Sequence, residues 1–72
     1  GRSEKRAVKS NLEVVLIHLL KYKYQPEKRS NSWRYTIREH RKRLREALEE
    51  SPSLKPFLSE VFEKCYQEAR AL

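Results

Sequence analysis

The sequence predicts an all-α fold: a three-helix unit that forms part of a larger helical bundle or an oligomer. Three features of the chain point there. Apolar residues recur at three- and four-residue spacing, which is the period of a helix. The only glycine stands at position 1, and Pro26 and Pro52 fall in two short polar breaks that divide the chain into three periodic segments. No stretch alternates apolar and polar residues with the period of two that a half-buried strand needs.

Helix one is expected over about 3–24. Ser3 can cap it ahead of Glu4, and the residues that follow are mostly good helix formers. Val8, Leu12, Val15, Leu19 and Tyr22 make one stripe along it. At about 100° per residue, Val14 and Ile17 fall on a second face and Leu16 with Leu20 on a third, so the middle of this helix is apolar nearly all round.

Gln25–Ser32 interrupts the pattern. Pro26 cannot continue a helix and biases Gln25 toward extended geometry, while Ser30, Asn31 and Ser32 favour turns. Helix two is expected over about 32–50, capped by Asn31 or Ser32. Its apolar positions are Trp33, Ile37, Leu44, Ala47 and Leu48, with His40 on the same side, leaving the arginines toward most other faces and free to pair with glutamates of neighbouring helices. Glu46, Glu49 and Glu50 have the wrong sign for the helix C-terminus, which predicts fraying or a cationic neighbour.

Helix three is expected over about 53–71, after the break Ser51, Pro52, Ser53, with Ser53 as its cap and Pro56 in the first turn, where a missing amide donor costs little. Leu54, Phe57, Leu58, Val61, Phe62, Cys65, Tyr66, Ala69 and Leu72 keep one amphipathic face.

Two helices with single stripes each cover something like 100° to 120° of a third, which leaves helix one under-covered. Val14, Leu16, Ile17 and Leu20 are therefore the expected assembly surface. Its cover would be an upstream segment of the same protein, a second copy of this chain, or another partner. If each of the four lost half its burial, about 1 kcal/mol apiece would vanish, comparable in sum to a small domain's whole margin.

Composition narrows the function. With 72 residues there is room for one domain. Cys65 is the only cysteine, so no internal disulfide forms and a reducing cytoplasm is the expected setting. The longest apolar run, Val14–Leu20, includes His18 and is far short of the roughly 20 residues that span a bilayer. No small-residue cleavage site follows it, which argues against a signal peptide. The opening Gly1, Arg2, Ser3 and the lack of methionine suggest a fragment.

The formal net charge is +7, and all of it lies between Lys28 and Arg45, where eight basic residues meet the single acid Glu39. Charge needed only for solubility has no reason to gather on one loop and the helix after it, so the segment is a candidate contact surface. Lys28, Arg29, Arg34, Arg38, Arg41, Lys42 and Arg45 are its candidate contacts, for an acidic protein partner or for nucleic acid. Trp33 and Tyr35, interleaved with them, could stack on bases. A membrane surface is a poorer fit, because the apolar face of helix two lacks the bulk of an interfacial anchor.

Chemistry is weakly signalled. His18, His40 and Cys65 are the soft metal ligands, none at a metal-site spacing, so they read as a helix-packing histidine, a boundary histidine and a small core hydrophobe. The carboxylates sit at helical positions that read as solvated or paired, such as Glu39 with Arg43. There is no glycine-rich phosphate loop. The expectation is a non-catalytic interaction and assembly module with a basic face and no cofactor, with nucleic-acid binding as the alternative.

The run from Leu16 to Ile37 holds His18, Leu19, Leu20, Lys21 and Tyr22, then Tyr24, Gln25 and Pro26, then Arg29, Ser30, Ser32, Trp33 and Thr36. This pattern resembles the bacterial family known as domain of unknown function twenty-nine. Glu39, Arg41, the Ser51, Pro52, Ser53, Leu54 turn and the Gly1, Arg2, Ser3 opening look like that family too, although Tyr22 stands where members commonly have tryptophan. The resemblance implies an all-α fold and a place in the C-terminal half of a longer polypeptide, which would supply the cover that helix one lacks. It implies no activity and no catalytic or binding residue.

Overall fold

A computed structural model describes residues 2–71 as α1 (Arg2–Tyr24), α2 (Asn31–Glu50) and α3 (Lys55–Arg70), joined by single 3-10 turns at Pro26–Lys28 and Pro52–Leu54. The fold is all-α. Gly1 of the opening and Leu72 of the third apolar stripe lie outside the described residues.

The helix ends show where local hydrogen bonding decided among several polar candidates. Ser3 lies inside α1, not at its cap, because the helix already runs from Arg2. The cap of α2 is Ser30, one residue before the two expected: its backbone is extended (φ −143°, ψ 163°) and its hydroxyl accepts the Trp33 N–H at 3.2 Å. At the second break, the Leu54 N–H donates to the Ser51 carbonyl at 2.9 Å and tightens the chain into a 3-10 turn. Ser53 is thereby drawn inside a turn, and α3 starts at Lys55 without a side-chain cap, with Pro56 in its first turn. The glutamates at the end of α2 do not fray it. The helix holds to Glu50, the Ser51 N–H closes on the Ala47 carbonyl at 2.9 Å, and the Glu46 carboxylate lies 3.9 Å from Lys42 Nζ within the same helix.

Helix α1 is the centre of the molecule. α2 and α3 each pack along it and touch one another little beyond the turn that joins them. The result is a flattened body of 39 × 23 × 15 Å. Its radius of gyration is 12.6 Å, against about 11 Å for a compact chain of this length. The core is Val8, Leu12, Val15 and Leu16 of α1 with Leu54, Cys65 and Ala69, while α2 contributes half-buried side chains such as Leu44.

This arrangement divides the expected assembly surface. Val14, Ile17 and Leu20 remain half-buried, but Leu16 is only 7% exposed and belongs to the core. The reason is geometric: Leu16 falls in the angle between the two flanking helices, where Leu12, Cys65 and Ala69 close over it.

A polar link fixes α2 on α1. Asn11 Nδ2 donates to the Ala7 carbonyl at 2.8 Å, and its Oδ1 accepts from His40 Nδ1 at 2.7 Å. His18 Nδ1 donates back to the Val14 carbonyl at 2.9 Å. Burial pushes the His40 pKa below its ordinary 6.5, helped by Arg43 and His18 and opposed by Glu39. Because the folded value lies below the unfolded one, stability is full above about pH 6.5 and falls as the pH drops below it and the unfolded chain takes the proton first. Thermal midpoints measured from pH 7.5 to 5.5 should decline, and His40→Asn, which keeps a donor at the Nδ1 position, should flatten that decline.

A cationic trough along the second helix

Arg34, Arg38, Arg41 and Arg45 are spaced four, three and four residues apart. At about 100° per residue they fall within an arc of roughly 60°, next to the stripe of Ile37, Leu44 and Leu48. They are one rail on one edge of α2, a departure from the expectation that the arginines occupy nearly every side. Arg43 lies on the opposite edge, where its Nε approaches the Glu39 carboxylate at 3.6 Å. Among the described residues the ion pairs of α2 are Arg43–Glu39 and Lys42–Glu46, both within the helix, and Arg38, Arg41 and Arg45 have none. The expected pairing with glutamates of neighbouring helices is not seen there among the described residues: α3 packs on α1 and touches α2 little, and α1 brings Leu19 and Tyr22, not a carboxylate, to the rail.

The rail walls a groove of about 460 Å³ between α1 and α2. Leu19 and Tyr22 of α1 and Ile37 of α2 form its apolar floor; Arg34, Arg38, Arg41, Lys42 and Arg45 form its rim, and no carboxylate lines it. Leu19 is 43% exposed there, an apolar side chain left open on the stripe that otherwise faces α2. Arg41 and Arg45 also border a second depression of about 490 Å³ over Leu44, Leu48, Pro52 and Lys55, with Glu49 at its side. The two depressions share Arg41 and Arg45 as walls, and together they make a trough along α2 between Arg34 and Pro52.

Tyr22 closes one end. Arg29 Nε donates to the Tyr22 carbonyl at 2.8 Å while its guanidinium lies 4.2 Å from the ring centre. Arg34 Nε donates to the Tyr22 hydroxyl at 3.2 Å, which ties the start of the rail to α1.

Of the seven basic candidates, the structure brings Arg34, Arg38, Arg41, Lys42 and Arg45 together and leaves two aside. Lys28 is exposed on the 3-10 turn, and Arg29 is committed to Tyr22 outside the groove. The interleaved aromatics do not line the trough either: Trp33 is half-buried, and Tyr35 is 65% exposed on another face of α2. The signal that would have found the rail is the four-three-four spacing itself, masked in the sequence by Lys42 and Arg43 lying between its members.

On the other side of α1, Ile17 and Leu20 share a depression of about 400 Å³ with Tyr24 and Ala69. Val14 does not line it.

Reactive chemistry finds little footing. Cys65 is 1% exposed, and burial, with Glu13 and Glu68 adding and Lys9 and Lys64 opposing, pushes its thiol pKa up, away from the nucleophilic thiolate. Among the described residues no cluster of three or more His, Cys, Asp or Glu could hold a metal ion, and no helix is long and apolar enough to cross a membrane.

A family model described as "Domain of unknown function DUF29" matches residues 1–72. No match is found among curated proteins or among solved structures.

Proposed function

The chain belongs to the DUF29 family, and on that footing we propose that it is a non-catalytic helical binding and assembly module that takes an anionic partner in the trough along α2. One observation carries this reading: Arg38, Arg41 and Arg45, without ion-pair partners among the described residues, rim the groove over Leu19, Tyr22 and Ile37, which no carboxylate lines, and Glu49 is the one acid beside the adjoining depression. Like charges gathered on one helix edge repel, and a partner's carboxylates or phosphates would relieve that repulsion. A half-exposed leucine beneath them adds apolar contact. Ile17, Leu20 and Val14, half-buried on the far side of α1, form a second, assembly surface in this reading. The lone buried thiol suits the cytoplasm.

Nucleic acid would use the same arginines, and it is the competing occupant. The position of Tyr35, away from the rail, and the partial burial of Trp33 weigh against base stacking in the trough. Anisotropy titrations with a fluorescent polyglutamate peptide and with a generic DNA duplex, from about 0.05 to 0.3 M salt, test the proposal. Binding of at least one polyanion, weakening as salt rises, is expected. A log-log slope of about −4 to −6 with duplex would indicate five to seven phosphates engaged. No binding of either probe at the lowest salt would remove the proposal.

A further inference from the structure

We infer that the occupant of the trough is an acidic amphipathic helix of a partner protein, lying along α2 as a fourth helix; the inference rests on the anionic-partner reading above and specifies its ligand. Shape, apolar surface and charge pattern each contribute a separate reason.

The first is shape. α2 and α3 both pack on α1 and hardly on each other, which leaves a long depression beside α2. From Arg34 to Leu48 it extends about 21 Å at the helical rise, so a helix of about 14 residues would fill it.

The second is the apolar strip. Leu19, Ile37, Leu44 and Leu48 line the trough and are half-buried or exposed. A phosphodiester backbone would leave that strip wet. Apolar side chains at i, i+3 or i+4, and i+7 of a docking helix would cover it and remove it from water.

The third is the pattern of charge. The rail repeats at four, three and four residues with no carboxylate between its members on that edge. A helix aligned along α2 has the same rise per residue, so carboxylates at the same spacing, beside its apolar stripe, meet the arginines in register along the whole length. Arg suits such a site, because its planar fork takes a carboxylate through two hydrogen bonds.

The test uses three probes against the whole chain: an 18-residue peptide with leucines on one helical stripe and glutamates beside it at four-three-four spacing; a peptide of the same composition with the glutamates spread around all faces; and a DNA duplex of matched charge. The patterned peptide should bind at least about tenfold tighter than the permuted one and gain helical circular dichroism on binding. Leu19→Ala, at an exposed position, should weaken the patterned peptide several-fold and leave DNA affinity unchanged.

Equal affinity for the two peptides, or binding of DNA alone, would overturn the inference while the anionic-partner reading stood. Failure of all three probes would remove both. A dimer mass for the chain alone that Arg41→Glu converts to monomer would assign the trough to a second copy, and would also overturn it.

Discussion

Leu16→Lys should unfold the domain, while Ile17→Lys, one residue away, should leave it folded. Leu16 is 7% exposed and packs with Leu12, Cys65 and Ala69. Truncating such a leucine to alanine costs about 2 to 5 kcal/mol. Placing an ammonium there adds the penalty of burying an unpaired charge. A domain of this size has a total stability of only a few kcal/mol, so the helical signal of Leu16→Lys at 222 nm should be lost without denaturant. Ile17 is half-buried at the edge of an open depression, where a lysine stem can cover apolar surface and still carry its charge to water. Its urea midpoint should fall by the equivalent of about 1 kcal/mol. If the Ile17 and Leu20 face assembles, light scattering should show the Ile17→Lys protein at the mass of one chain while the parent chain is heavier. A folded Leu16→Lys protein would mean that the centre of the molecule is elsewhere than at the angle between α2 and α3.

Reversing the rail has the largest expected effect on binding. Arg38→Glu, Arg41→Glu and Arg45→Glu together change the edge of α2 by six charges, from attracting an anion to repelling it. Charge-assisted contacts contribute about 1.5 to 3 kcal/mol when desolvated and less at the rim, so affinity for an acidic partner should fall by at least about a hundredfold. All three side chains are exposed, and none has an ion pair among the described residues to lose. Thermal stability should therefore stay within about 0.5 kcal/mol of the parent, because the new glutamates gain Arg34 and Lys42 as helical neighbours but repel one another and Glu49. Anisotropy with the acidic peptide, alongside a melting curve of the same protein, separates the two effects. The paired control, Arg43→Glu, removes the Glu39 contact on the opposite edge and should leave peptide affinity almost unchanged.

Much of this architecture is legible in the chain because it rests on local rules. The three helices follow from apolar periodicity and two proline-containing breaks, and their limits differ from the expected ones by one or two residues. Those differences arise where neighbouring polar residues compete: Ser30, Asn31 and Ser32 can all cap a helix, and the extended backbone at Ser30 decides which one does. Leu16 was harder to place. A helical wheel distinguishes the faces of α1 but gives no angle between α2 and α3, and it is this angle that puts Leu16 inside while leaving Val14, Ile17 and Leu20 half-covered. The basic segment illustrates the same limit. Lys28 and Arg29 are neighbours of the rail in sequence but not in space, since Arg29 turns back onto Tyr22. Conversely, Leu19 and Tyr22 join the groove from a helix that the charge pattern never touches.

A titration followed residue by residue through backbone amide NMR shifts, with the patterned acidic peptide as ligand, bears most directly on the trough. Perturbations should concentrate at Leu19, Tyr22 and along Arg34–Leu48, and fade as salt is added. Shifts centred instead on Lys28 and Arg29, or on Ile17, Leu20 and Ala69 across α1, would contradict the assignment of the binding surface to the rail of α2.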